Sequence, residues 1–285
     1  MTRTHEKQIT MITLTNTLPP EMLDRLKQRE LEVLKVVREI CKKYNLEYYL
    51  VGGTLLGAVR HQGFIPWDDD IDIAMFRKDY DRFQQIAQQE LGDKYFLQTN
   101  QTDQWHGPFM KIRINGTLFQ DIDTLENAKY HKGVFIDIFP LDNVLNPDGI
   151  EFKIRHRIIR ILSRLLYRKC SSGLMVKSRI KYWIGLVLPY LFSKSFMIRW
   201  RHRLMIKDIL ENTEYVTSFG SGFTALKQLF RRDVYHPATE LEFENETFCV
   251  PGQYDFVLRQ LYGDYMKLPP ENERVPKHSV QKYDF

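Results

Sequence analysis

The sequence predicts an α+β fold, with a mixed sheet carried by the first half of the chain and helices after it. Three observations support this. Short apolar stretches of strand length recur up to residue 139. Apolar residues at helical spacing dominate from 148 to 211. The 43% hydrophobic and 27% charged residues are those of an ordinary globular protein, and 285 residues suffice for one large domain or two small ones.

Residues 1–20 read as a flexible arm, polar over Met1–Thr17, lacking the apolar core of a signal peptide, and closed by Pro19-Pro20. Leu23, Leu26, Val33, Leu34, Val37, Ile40, Cys41 and Tyr44 then share one face of a long helix. The apolar run 46–51 is the first strand, and Thr54 is placed to cap a short helix over 55–60. A loop at 61–69 leads into a strand at 70–75, and 78–91 is helical. Strands follow at 94–98, 109–114, 117–121 and 134–139. Beyond the helices come a short strand within 241–249, a helix over 253–262 and an irregular tail. The organisation predicted is an arm (1–20), a catalytic core (21–147), a basic helical region (148–215) and a C-terminal segment packing back on the core (216–285). Cys41, Cys170 and Cys249 lie far apart, which argues against a disulfide framework and fits a reducing compartment. No Cys/His cluster has zinc-site spacing. The longest apolar run, Tyr182–Phe192, is too short to span a bilayer.

The chemistry concentrates in Pro66-Trp67-Asp68-Asp69-Asp70-Ile71-Asp72-Ile73. In a strand over 70–75, Asp70 and Asp72 share one face while Ile71 and Ile73 share the other. Carboxylates that close repel unless a cation lies between them, and magnesium takes hard oxygen ligands together with substrate phosphate. Asp137 stands alone inside the apolar run Val134–Phe139, costly unless the same cation binds it. Gly52-Gly53-Thr54 follows the apolar run Tyr48–Val51, and glycines there let backbone amides approach a phosphate. Together these describe a metal-dependent phosphoryl-transfer site. Asp68 and Asp69 precede the strand and are given a supporting or loop role.

The 22 residues from Gly52 to Ile73, GGTLLGAVRHQGFIPWDDDIDI, closely resemble the LicD-type phosphocholine transferases. Lys111-Ile112-Arg113 with Gly116-Thr117, Phe135–Asp142 and Tyr262–Pro270 look like the same family, and the resemblance runs from residue 25 to 280. It implies a nucleotidyltransferase-like fold related to fukutin-type proteins, with Asp70, Asp72 and Asp137 as the carboxylate triad. It implies transfer of phosphocholine from CDP-choline, or of a similar phospho-alcohol from a related CDP-alcohol, to a sugar of a lipid-linked cell-surface glycan precursor. The rival readings are a nucleotidyltransferase that releases pyrophosphate and an inactive peripheral membrane protein.

Within this reading Asp70 and Asp72 hold magnesium, with manganese as the alternative, and Asp137 completes the shell or takes the hydroxyl proton. Gly52, Gly53 and Thr54 cradle phosphate. Arg60, Lys111 and Arg113 meet leaving-group charge, and Trp67 stacks on a base or boxes a quaternary ammonium. His61 and His278 are left outside the catalytic set.

The segment 152–207 holds 15 of the 41 basic residues and none of the 36 acidic ones, with Ile154, Ile158, Ile161, Leu162, Leu165 and Leu166 at helical spacing. Basic faces on apolar helices fit an anionic membrane surface, and solvated helix faces are the plainer alternative. No DNA or RNA motif accompanies the segment, so no nucleic acid is expected. The location expected is cytoplasmic, at the inner face of the cell membrane.

Overall fold

A computed structural model describes residues 10–11, 17–122, 124, 128–170 and 190–285. Most of the predicted arm, and positions 171–189 of the basic region with most of the apolar run 182–192, lie outside the described residues. Of the arm, Thr10–Met11 forms a short strand, β1.

The helix predicted after Pro19-Pro20 is α1 (Pro20–Tyr44), which buries Leu26, Val33, Leu34, Val37 and Ile40 and ends at Asn45 in the left-handed conformation. The chain then runs β2 (Tyr49–Leu50), α2 (Gly52–His61), β3 (Asp72–Phe76), α3 (Arg77–Leu91), β4 (Tyr95–Gln98), β5 (Met110–Ile114), β6 (Leu118–Asp121) and β7 (Phe135–Val144). Two helices follow among the described residues, α4 (Ile150–Cys170) and α5 (Lys194–Met205). The C-terminal part holds β8 (Tyr215–Thr217), β9 (Phe230–Arg231), β10 (Thr239–Phe243), β11 (Glu246–Val250), α6 (Tyr254–Tyr262) and β12 (Val280–Asp284). The architecture is α+β.

The central sheet has the order β2-β3-β7-β5-β4. Only the β3–β7 pair of that path is parallel; the others are antiparallel. The far end of β7 pairs with β8, and β8 with β9. The main core runs from Leu18 to Tyr283, so the N-terminal and C-terminal parts share it. Each fully buried Leu, Ile or Phe in it contributes about 1.5–3 kcal/mol. Two smaller clusters, around Phe152 with Ile159 and around Leu162 with Met197, seat α4 against α5 and the 205–225 segment.

Several elements differ from their predicted form. β3 starts at Asp72 rather than residue 70, because β2 is only two residues long and its ladder ends where Val51 donates to the Asp72 carbonyl. The helix predicted over 55–60 starts at Gly52, and Thr54 is not its cap: its hydroxyl oxygen accepts the Asp72 N–H at 2.8 Å. The strand predicted within 241–249 is a hairpin turning at Glu244-Asn245, both at positive φ, as a tight primed turn demands. The tail read as irregular contains β12, which pairs with β6 and β1. The strand predicted at 134–139 continues to Val144 through Pro140. Asp137 donates its N–H towards β3, so position 140 faces the opposite side. There β5 has ended, opposite Ile138, and β8 begins only opposite Asp142, so no bond is lost at the proline.

At the junction of β7 and α3, Arg77 donates to Asp142 at 2.7 Å, both buried. Burial pushes the Asp142 carboxyl up to about 6, against the pull of the Arg77 charge. Removing one partner strands the other charge. Asp142→Ala should therefore cost about 3–5 kcal/mol in urea unfolding, and a loss below about 1 kcal/mol would show that the pair is dispensable.

Candidate active site

Parallel pairing of β3 with β7 sets Asp72 level with Asp137, and antiparallel pairing of β7 with β5 sets Asp137 level with Lys111. Gln98 on β4 continues the row. Laterally paired residues point to one face, so Asp72, Asp137, Lys111 and Gln98 form a polar row across four strands. Lys111 donates to Asp137 Oδ1 at 2.5 Å and lies 3.4 Å from the centre of the Phe135 ring. Burial lowers its ammonium to about 8, against the raising effect of Asp137.

Asp70 lies just before β3 and is buried. Lys277, from the C-terminal tail, donates to Asp70 and stands 3.6 Å from Asp72 Oδ2. Burial alone would raise Asp70; Lys277 and then His278 outweigh it and hold the carboxyl below its usual range. Asp72 is pushed up to about 7 by burial and by Asp70, and Asp68 up to about 8 by burial, Asp70 and Asp72. Asp69 is also buried; its carboxylate accepts the N–H groups of Lys277 and His278, and its Oδ1 lies 3.2 Å from His278 Nδ1. Burial pushes His278 down, but the Asp69 bond outweighs it and the imidazole lies above its ordinary value. Glu30 of α1 is fully buried with both carboxyl oxygens unbonded, and burial followed by Asp70, Asp69 and Asp68 raises it well above the carboxylate range.

Several carboxylates thus crowd one place. Asp68, Asp69 and Asp70 each present an oxygen within 4.8 Å of the others. Asp72 Oδ1 is buried and has no hydrogen-bond partner. A stranded carboxylate oxygen beside further carboxyl oxygens suits a hard divalent cation, so the donor set fits magnesium or manganese.

Asp68, Asp70 and Asp72 face a cavity of about 710 Å³, lined also by Gly52, Gly53, Arg60 and Trp67 and by the 262–270 segment; Asp137, level with Asp72, is not in its lining. That is the size of a site for a nucleotide-like ligand. The first turn of α2 opens onto it, with N–H groups that have no partner inside the helix. The glycines make room there. A Cβ on Gly52, at φ +58°, would sit 3.1 Å from Asp72 Oδ2, and one on Gly53 would sit 2.5 Å from Asp68 Oδ2.

The other predicted residues divide. Arg60 lines the cavity but donates to the Tyr265 carbonyl at 2.7 Å, tying α2 to the C-terminal segment. Trp67 lines it as well, with the Arg274 guanidinium 5.6 Å from its ring centre. Arg113 is buried away from it, donating to Gln98 Oε1 and the Gly133 carbonyl. Lys111 and Arg113 line a separate cavity of about 160 Å³ that also holds His278 and Phe135. Lys277 and the Asp69–His278 pair were missed in the sequence. Lys277 and His278 sit in a tail without periodicity, and only the Pro269-Pro270 turn before them hints that it folds back.

The family model described as "LicD/FKTN/FKRP, nucleotidyltransferase domain" matches residues 45–156. The lipopolysaccharide cholinephosphotransferase LicD of Haemophilus influenzae is 33% identical over 260 residues, covering 89% of this chain and 94% of that protein. The ribitol 5-phosphate transferase FKRP of Homo sapiens is 36% identical over 61 residues, 21% of this chain and 12% of that protein. An uncharacterized protein of Rickettsia typhi is 50% identical over 58 residues, 20% of this chain and 19% of its own length. Similarity that extends over nearly the whole length of the first relative shows that this chain belongs to the LicD family.

Proposed function

We propose that this transferase moves phosphocholine, or a similar phospho-alcohol, from a CDP-linked donor to a sugar hydroxyl of a lipid-linked cell-surface glycan precursor, of teichoic acid, lipopolysaccharide or capsule type. The observation that carries the reading is the level placement of Asp72 and Asp137 beside Asp70, at a cavity floored by the first turn of α2. The activity printed for the Haemophilus relative supports it, and the ribitol 5-phosphate activity of FKRP keeps the transferred alcohol open.

The sugar oxygen bonds to the phosphorus that carries choline, the bond from that phosphorus to the bridging oxygen breaks, and CMP leaves with the electron pair. Asp70, Asp72 and Asp137 would hold the divalent ion, which supplies positive charge against the donor's phosphates. The amides of Gly53 and Thr54 point at phosphate from the start of α2. The Thr54 hydroxyl oxygen is engaged by Asp72 and serves the site by fixing that residue. Asp137, held by Lys111, takes the hydroxyl proton. Trp67 offers a ring face to the donor's base or to its quaternary ammonium.

The acceptor's lipid suggests a membrane surface. Ile150, Ile154 and Ile161 on α4 and Phe196 and Trp200 on α5 are exposed, with exposed Arg157, Arg199 and Arg203 among them. Each arginine near anionic headgroups would contribute about 1 kcal/mol. Not all the basic residues face outward: Arg155 is buried against Asp208 at 2.7 Å, and Arg201 donates to the carbonyls of His106 and Gly107. No helix among the described residues is long and apolar enough to cross a membrane. We place the protein at the inner face of the cell membrane, attached peripherally.

Asp72→Asn should lower CMP release from CDP-choline with magnesium and a glycan acceptor by about 100-fold or more, with the urea midpoint unchanged or raised because a repulsive charge is gone. Full activity of the variant would remove the metal role, and pyrophosphate release from a nucleoside triphosphate would favour nucleotidyl transfer instead. Gly53→Ala forces the Asp68 carboxylate aside and should slow transfer about tenfold or more; an unchanged rate would show that this approach is idle. In flotation at low salt the protein should rise with vesicles containing phosphatidylglycerol and stay down with neutral ones, and equal behaviour with both would end the membrane assignment.

A further inference from the structure

A second large cavity, of about 770 Å³, lies between α4 and the 105–109 loop. Among the described residues its lining contains Arg160, Arg164, Arg168 and Arg201, with His106 and His156, and no Asp or Glu. Arg160, Arg164 and Arg168 follow one another at helical i, i+4 spacing, so one face of α4 presents three guanidiniums in a line. Among the described residues no carboxylate pairs with any of these three, whereas nearby Arg155 is neutralised by Asp208. Like charges at this spacing repel. Burial lowers Arg201 to about 10 and His106 to about 4 at the inner end of the cavity.

The remaining wall is aromatic: Trp105, Phe109, Tyr167, Phe219 and Phe223. Flat apolar rings beside guanidinium forks suit a saccharide that carries phosphate, with rings against the sugar's C–H faces and forks on the anionic oxygens. Position adds the last argument. Ser221, Gly222 and Phe223 line this cavity and the donor cavity alike, so the two meet along one three-residue wall. Gly222 borders open space within that wall, where a Cβ would meet nothing within 4 Å.

We propose that this arginine-lined cavity binds the acceptor, and that the acceptor is an anionic, phosphate-bearing oligosaccharide held by Arg160, Arg164 and Arg168 with its reacting hydroxyl directed past Ser221–Phe223 to the donor. Calling the saccharide an acceptor rests on the transferase reading above; its binding does not.

Calorimetry on the full chain with phosphomannopentaose and neutral mannopentaose as probes tests it. The phosphorylated sugar should bind at least about tenfold more tightly, as one or two charge-assisted hydrogen bonds allow. The triple variant Arg160→Ser, Arg164→Ser, Arg168→Ser should bring it to the level of the neutral sugar. Arg160 and Arg164 are exposed, so the variant should fold, which circular dichroism checks. Equal affinity of the wild type for both sugars, or undiminished affinity in the triple variant, overturns the proposal. So does competition in which inorganic phosphate alone binds as tightly as the phosphorylated sugar, since the rings then contribute nothing. Loss of vesicle flotation in the triple variant without any loss of sugar binding assigns the arginines to lipid headgroups and overturns it too. Binding of CDP-choline with magnesium is measured separately by the same calorimetry; its absence would remove the donor assignment and leave the sugar affinities to decide this one.

Discussion

The parallel pairing of β3 with β7 is the constraint on which the site depends. It sets Asp72 beside Asp137 on one face of the sheet, with a full register of apolar neighbours on the other. A slip of one residue in either strand would turn its acid into the core and its isoleucine, Ile73 or Ile138, out of it. Both isoleucines are fully buried, so the packing that stabilises the sheet also fixes where the carboxylates stand. Folding and function are coupled here through register rather than through any contact between the acids themselves.

Holding that many acids together costs free energy, and the molecule offsets it residue by residue. Lys111 meets Asp137 from β5, Lys277 meets Asp70 and Asp72 from the tail, and backbone amides of the same tail meet Asp69. Lys277 differs from Lys111 in one respect. Lys111 is buried within the polar row, whereas the Lys277 side chain is about half exposed and meets Asp70 and Asp72. Glu30 and Asp72 Oδ1 remain without partners, and a fold selected for stability alone would have no reason to bury them so.

The sequence made the sheet and its acids legible because each strand was short, apolar and bounded, and because the 52–73 motif is long. Asp137 stood out as a lone charge in an apolar run, and the register that levels it with Asp72 follows once both are on neighbouring strands. Other parts were hidden for physical reasons. Thr54 reads as a cap because Thr before a helix usually is one, yet its hydroxyl was taken by a strand 18 residues away. Lys111 and Arg113 alternate on β5 as an exposed face would, but aromatic Phe135 and the acids lie over that face and bury both. The hairpin at 239–250 turns on Glu-Asn instead of Asn-Gly, and β12 exists through its pairing with β6 and β1, both more than 150 residues earlier. Long-range pairing leaves no local signal.

β7 also joins the sheet that carries the acids to the basic helical region. Its first half carries Asp137 between β3 and β5, and its second half, beyond Pro140, leaves β5 for β8 and ends in Val144. Val144 belongs to the apolar cluster of Phe152, Ile159 and Phe219, which seats α4. Asp142, on the same half, is bonded to Arg77 at the start of α3. A strand fixed at both ends in this way transmits little play, so α4 keeps a set position relative to the acids. Phe219 and the Ser221–Phe223 wall descend from β8, the next strand over, and separate the two cavities by a single layer of chain. The proline that a central strand ordinarily excludes is therefore well placed. It stands where the strand changes partners, between the half that carries Asp137 and the half that anchors the arginine-bearing helix.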